Sequence, residues 1–583
     1  MSVSQMRKIK SGILLLGLSG MIVFCSLGRA LAQDLPGDRY LAAVKKFADV
    51  ALEKGRDTYG EKHTPLFVDA LNIETCKPFL WKRNGERWIL SNLASQQNLF
   101  RTLVGLSRLT GDKQYRQAAV DAMRYGFENF RAENGLLEWG GHLAYDAAGD
   151  RLVMEAYRHE LKRHYPYYEF MREINPEAAM QFLRSFWGAH VVDWSKLDFN
   201  RHGNYDQAID KLWEQEYEGG NVFFTSKGRT FCNTGSDLIY AGVILHLWTG
   251  AEGPLIWAKR LGERYAATRN PKTGLTGYLY SFTGGLEKDR ARMQFGPEFG
   301  DRALEGTILD VGRAQIRYAM MGIVQLKLSE MLGEKGEEFR NWALRDLKAY
   351  AKHAYNAKTG RFEALFSDGT HMGPEDIKRE GYYYALQFEP WRPDGLFFWA
   401  YALAAYHEDG DSCWQMAREI ARGSERGVSG DTVLSTDVSG RVFDVSKALD
   451  LGDIGPVPSG RRTLNFETDC ADAYVILGLL QLSRKTGDRS FVKLASRVAD
   501  NILRQRFHNG LFTQVPGQVY GKFDELTPLV LLQLAAIEQG KADVVPEAWP
   551  GMSYFQCPYD GLGRTKDNLI IYSDGEEITN PAR

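Results

Sequence analysis

Between Trp139 and Asp206 the chain concentrates side chains that bind metals, carry protons or hold anions. They come as Trp139-Gly140-Gly141-His142, then His159-Glu160-Leu161-Lys162-Arg163-His164, then Asn200-Arg201-His202-Gly203. His142, Glu160 and His202 together offer two imidazoles and a carboxylate, donors that suit borderline first-row divalent ions and leave coordination positions open for a substrate. Taken singly these residues say less. A loop histidine is most often just exposed, although Gly140 and Gly141 let the backbone turn sharply and approach another group closely. The run from Met154 to Lys162 reads as one helix, whose charges a solvated face with internal ion pairs explains as well as a ligand does. His159 and His164 are five positions apart and do not share a helical face, which excludes the i, i+4 histidine pair of zinc proteases. Arg201 and His202 fall in a polar stretch without helical period, Asp198 to Asp206, where such a pair can be a surface accident. His190 competes as the second imidazole ligand, but it sits at an apolar helix end, Phe186 to Val192, and reads as a core histidine.

The elements that must position these residues form a repeat. From Asp38 onward, Leu41, Val44, Phe47 and Leu52 return at helical intervals, one apolar stripe on one face. Leu106-Ser-Arg-Leu-Thr-Gly-Asp112 comes back as Leu482-Ser-Arg-Lys-Thr-Gly-Asp488, and Asn134-Gly135 as Asn509-Gly510. Glycines 111 and 135, 250 and 274, and 336 and 360 are each 24 residues apart, and 487 and 510 are 23 apart. Each interval holds one helix preceded by an apolar one, and a looser copy surrounds Phe397 to Gly410. Repeated αα-hairpins need neighbours to bury their apolar faces. The expected fold is therefore all-α: an (α/α) toroid, inner helices ringed by outer ones, with function in long connections such as Leu275 to Gly300 and Arg361 to Trp391. Glycines 111 and 250 are 139 residues apart, more than one hairpin needs, and the candidate site lies in that surplus.

Residues 1–32 read as an export signal: Arg7, Lys8 and Lys10, an apolar run from Ile13 to Leu27, and Ala30-Leu31-Ala32 before Gln33. The mature chain is expected in the periplasm or outside the cell, without stable membrane association. Residues 33–540 would form the barrel and 541–583, with Pro546, Pro550 and Pro558, an extended tail packed on it. The signal carries four of the 72 basic residues and none of the 74 acidic ones, so the mature formal charge is 68 − 74 = −6. With no basic tail or patch, nucleic acid is excluded as a partner. Cys76, Cys232, Cys413, Cys470 and Cys557 are scattered and odd in number, which suggests free thiols rather than a disulfide framework. There is no phosphate-cradling glycine loop, no Gly-x-Ser-x-Gly elbow and no dinucleotide fingerprint.

The order Gly-Gly-His, His-Glu-Leu-Lys, Arg-His-Gly resembles the metal-dependent pectate lyases of polysaccharide lyase family 2. That resemblance implies an (α/α)7 barrel, with His142, Glu160 and His202 as metal ligands and Arg201 as Brønsted base. It implies a divalent transition metal, Mn2+ foremost with Ni2+, Co2+ or Zn2+ suiting the same donors. The substrate would be polygalacturonate or oligogalacturonides, cleaved by β-elimination. Its C5 proton is acidic only because it is α to a carboxylate, so an ion on that carboxylate would stabilise the enolate-like transition state. Lys162, Arg163 and Arg229 are candidate partners for substrate carboxylates, and Trp139 is a candidate for stacking on a sugar ring. The rival reading is an inverting glycoside hydrolase on an (α/α)6 barrel, for which Asp237 and Glu298 could serve as the two carboxylates. A guanidinium normally stays charged, and a neighbouring divalent cation disfavours its protonated form. Catalysis by Arg201 should therefore give a rate that climbs from about pH 6 to about pH 9 with metal saturating. A profile that falls over that range would remove Arg201 as the base.

Overall fold

The computed structural model describes residues 37–83, 86–141, 143–154, 158–207, 211–283, 293–302, 305–379, 383–423, 434–436, 442–444, 448–455, 463–514, 518–551, 570–573 and 576–577. Residues 1–32 and His142 lie outside them. Helix α1 (Asp38–Lys54) buries Val44 and Phe47, the stripe its periodicity requires. α2 (Gln97–Thr110) ends at Gly111, whose φ of +80° reverses the chain. Asp112 then caps α3 (Lys113–Asn129) by accepting the Gln114 amide at 3.1 Å. A left-handed glycine likewise joins α6 (Cys232–Thr249) to α7 (Glu252–Ala266) at Gly250, and α13 (Ala473–Thr486) to α14 (Ser490–Arg506) at Gly487. Between α3 and α6 lie the short α4 (Tyr168–Ile174) and α5 (Pro176–His190).

α8 (Val311–Ala314) runs through a π-helical stretch, Gln315–Met320, into α9 (Met321–Leu332). The turn that follows differs from the sequence reading. It is Gly333, at φ +59°, that leaves the right-handed region, whereas Gly336 has φ −96°. A 3-10 stretch, Gly333–Gly336, intervenes before α10 (Glu337–Ala354) and moves the reversal three residues upstream. The looser copy resolves into α11 (Gly395–Ala404) and α12 (Asp411–Arg422). α15 (Thr527–Glu538) packs on both α1 and α2 and closes the ring. Seven helix pairs form among the described residues: α2 with α3, α4 with α5, α6 with α7, α9 with α10, α11 with α12, α13 with α14, and α15 with α1.

Each inner helix starts where a long connection ends, so the inner N-termini gather at one mouth. Asp310, Asp394 and Asp472 cap three of them, accepting the amides of Arg313, Phe397 and Tyr474 at 2.8, 3.1 and 2.8 Å. The connections pair in short ladders: β1 (Ala70–Asn72) with β7 (Tyr520–Lys522), β2 (Leu90–Ser91) with β3 (Leu143–Asp146) and β4 (Arg151–Met154), and β5 (Arg158–His159) with β6 (Gly203–Asn204). After α15 the chain buries Trp549 against Tyr240 of α6, and farther on Ile570–Ser573 pairs with Leu80–Arg83. Cys76, Cys232, Cys413 and Cys470 are free thiols, and Cys557 falls outside the described residues. No helix among the described residues is long and apolar enough to cross a membrane.

Gly111 is a clean test of the hairpin turn, because a side chain there meets nothing within 4 Å and only the backbone conformation is penalised. Gly111→Ala should lower stability by about 1–2 kcal/mol, read by denaturant unfolding, with turnover unchanged.

Candidate active site

Glu160 is the centre of the constellation. It is fully buried, and its Oε1 faces Lys162 Nζ at 3.4 Å, Arg201 Nε at 3.4 Å and His202 Nε2 at 3.7 Å. A carboxylate removed from water stays ionised only beside compensating charge, and Lys162 and Arg201 supply it. The structure thus brings together four of the residues that the sequence singles out, from two segments about forty positions apart.

Backbone register explains the meeting. In the antiparallel ladder of β5 and β6, Gly203 pairs with His159. The residue after His159 therefore lies beside the residue before Gly203, and these are Glu160 and His202. The described residues of Met154 to Lys162 do not form the expected helix: Arg151–Met154 and Arg158–His159 are strands, and His159, Glu160, Leu161, Arg163 and His164 are all buried. A solvated helix cannot bury consecutive charged positions. The segment is instead an inward-facing strand and turn whose cations and imidazoles surround one carboxylate.

The Gly-Gly-His loop is anchored to the same point. Gly141 donates its amide to the Glu160 carbonyl at 2.9 Å, and Gly140 forms a parallel bridge with Glu160. Gly140 has φ +99°, and a Cβ on it would lie 1.9 Å from that carbonyl oxygen, so only glycine fits. Asn92 clamps the loop from behind, giving its amide to the Gly140 carbonyl at 2.9 Å and accepting the Gly140 N–H at 3.3 Å. His142 itself is outside the described residues. Asn92 carries no motif and was not legible as part of the site.

On the other side, Asn200 Oδ1 accepts the His202 amide at 3.0 Å, and the Arg201 guanidinium lies 5.6 Å from the centre of the Phe231 ring. Phe231 is the residue just before α6, and its amide bonds the carbonyl of Arg229. Arg229 is partly exposed on that approach. Three histidines nearby are buried and kept neutral. Burial, followed by the neighbouring His190, pushes His159 well below its ordinary value; burial pushes His190 down to about 4 and His164 to about 3.

Zinc-type bonds of about 2.0–2.2 Å put neighbouring donor atoms about 3–4 Å apart, and the 3.7 Å between Glu160 Oε1 and His202 Nε2 falls in that window. Glu160 and His202 fit as two donors to a divalent ion. Among the described residues no group of three metal-competent side chains occurs. Glu160 balanced against Lys162 and Arg201 leaves a positive surplus, which favours an anionic substrate.

Two candidate substrate contacts are corrected. Trp139 is 2% exposed, set edge-on against Phe182 with its indole N–H on His159, so no sugar reaches it. Arg163 is 1% exposed and held in a left-handed turn, with its amide on Asp237, and belongs to the interior. Lys162 is partly exposed beside Glu160 and stays a candidate. Asp237 is buried, accepts the Arg163 and Tyr165 amides, and is pushed up to about 7 by that burial. Glu298 is half exposed and paired with Lys378. One carboxylate is a buried turn anchor and the other a surface group, a poor match for the two faces of a glycosidic bond.

A family model described as periplasmic pectate lyase matches residues 64–440 and 433–558. A pectate disaccharide-lyase of Dickeya dadantii (strain 3937) is 28% identical over 576 residues, covering 92% of this chain and 96% of its own. Among solved structures, a sugar epimerase from a ruminal bacterium is 11% identical, at TM-score 0.42, and covers 86% of this chain and 99% of its own. A family 76 α-mannanase of Bacteroides thetaiotaomicron is 9% identical, at TM-score 0.39, covering 86% and 96%.

Gly140→Ala should force the loop off the Glu160 carbonyl and lower both stability and turnover. A variant with wild-type activity would show that this close approach is dispensable.

Proposed function

The chain belongs to the periplasmic pectate lyase family and is a polysaccharide lyase, and on that premise we propose that it cleaves α-1,4-galacturonan by metal-assisted β-elimination at the Glu160 centre. The observation that carries the reading is the convergence of Arg201, His202 and Lys162 on one buried carboxylate, beside the anchor of the Gly140-Gly141 loop. His142, Glu160 and His202 would hold a divalent ion, Mn2+ foremost. When bound, that ion supplies Lewis-acid polarisation of the uronate carboxylate, which acidifies the C5 proton.

The chain's own residues do the rest. Arg201, oriented through its Nε by Glu160, takes the C5 proton as base from its neutral form, which the charge of a divalent ion on Glu160 and His202 would favour by displacing Arg201 as the compensating cation. The electrons of the C5–H bond form the C4–C5 double bond as the bond from C4 to the glycosidic oxygen breaks. That oxygen leaves with a proton from solvent, and the new non-reducing end is a 4,5-unsaturated galacturonide. Lys162 balances the substrate carboxylate on the Glu160 side. The relative from Dickeya dadantii releases disaccharide by its name, and we take that as the first product size to seek here.

Incubation with polygalacturonate and Mn2+ should raise the ultraviolet absorbance of the unsaturated product, and a chelator should abolish the rise. Reducing ends without that absorbance would instead indicate hydrolysis. Arg201→Ala should cut turnover by about 10²–10⁴-fold with metal content intact, whereas His142→Ala should lose metal as well as activity. Equal metal loss in both variants would remove the separate role of Arg201.

A further inference from the structure

Each of the three segments that meet at Glu160 has, within a few residues of its site side chain, one member of a buried hydrogen-bond chain that the elimination does not use. Trp139 precedes His142, His159 precedes Glu160, and Asn200 precedes Arg201 and His202. The Trp139 indole Nε1 lies 3.2 Å from His159 Nε2, His159 Nδ1 lies 2.8 Å from His190 Nε2, and His190 Nδ1 lies 2.8 Å from the Asn200 carbonyl oxygen. Trp139 is 2% exposed, and both histidines are fully buried.

The direction of this chain follows from its two ends. An indole N–H can only donate, so His159 Nε2 accepts and its proton sits on Nδ1. That proton is donated to His190 Nε2, which leaves the His190 proton on Nδ1, directed at Asn200. A carbonyl oxygen can only accept, so the far end agrees with the near one. Both rings are thereby locked in the Nδ1–H tautomer, and the polarity runs from the glycine loop to the Arg-His turn without a break.

The last link bears directly on the site. His190 grips Asn200 twice, since its backbone carbonyl also accepts the Asn200 amide at 2.9 Å. Asn200 in turn fixes the turn through the His202 amide at 3.0 Å. The ring is seated by shape as well: a Cβ on Gly203 would come within 2.5 Å of His190 Nε2.

We propose that Trp139, His159 and His190 form a tautomer-locked positioning relay that sets Arg201 and His202 against Glu160. The relay rests on the reading of that centre as a metal-assisted lyase site, and its residues are positioning residues that touch neither ion nor sugar. Partners that orient ligands from behind typically change metal affinity or activity 10–100-fold when removed.

The test exploits which nitrogen each amide side chain can replace. Asn places its amide where His carries Nδ1, and Gln places it where His carries Nε2. His190→Phe should lower kcat and Mn2+ affinity, the latter from calorimetric titration of the protein with Mn2+ alone, by about 10–100-fold, with KM for polygalacturonate within about twofold. His190→Asn, which can still donate to Asn200, should recover most of both losses, and His190→Gln should not. A purely space-filling histidine would leave the three variants alike, and that result, or a His190→Phe protein with wild-type kcat and affinity, overturns the proposal.

If His190→Phe does not fold, Trp139→Phe decides. It keeps an aromatic ring against Phe182 and removes the head donor, so the variant should fold with a lowered melting temperature and kcat should fall about fivefold to tenfold. Unchanged kcat would overturn the relay. A wild-type protein that binds no Mn2+ or forms no unsaturated product would instead overturn the lyase centre itself, so the two failures are distinct.

Discussion

A carboxylate with no access to water governs this site. An isolated ionised carboxylate in a protein interior costs far more than a fold of this kind can spare, so Glu160 requires opposite charge within a few ångströms. Lys162 comes from the same turn, but Arg201 must be delivered from another segment, and that requires β5 and β6 to pair in one register. A slip by one residue would carry Arg201 and His202 past Glu160 and leave the carboxylate with Lys162 alone. The electrostatic demand of one buried side chain and the register of a two-residue ladder are therefore the same constraint.

The toroid was legible because its signal is repetitive and local. Gly111 and Gly487 stand in matching phrases, and both adopt the left-handed conformation that a reversal between antiparallel helices needs. Gly336 shares their spacing without their conformation, since a 3-10 stretch can shift a turn by one helical turn without altering periodicity. The segment around Glu160 misled for a related reason. Its charged residues satisfy helical spacing as well as they satisfy an inward turn, and burial, which separates the two, is a property of the whole ring. Asn92 and the pairing of His159 with His190 were not legible at all: they depend on contacts between segments 48 and 31 residues apart.

The residues assigned by sequence divide along a physical line. Glu160, Lys162, Arg201 and His202 lie on connections at the mouth, whereas Trp139 and Arg163 carry equally suggestive side chains and point into the core. Aromatic and guanidinium groups pack large helical interiors as readily as they bind sugars, so residue type alone cannot place them. What separates the two groups is the hydrogen-bond geometry of their neighbours. The Trp139 indole is consumed by His159, and the Arg163 backbone is pinned by Asp237.

The ring also shapes the field in which an anionic chain arrives. Because the inner helices begin at the same mouth, their N-terminal partial charges, about half a unit each, add there. Asp310, Asp394 and Asp472 neutralise part of that field at three helices. α6 begins instead at Phe231, with no side-chain cap, directly beside Arg201. α2 and α15 also begin without a side-chain cap, but the α6 end adjoins Arg201, so its dipole and the surplus cation of the cluster act on a polyuronate from the same side.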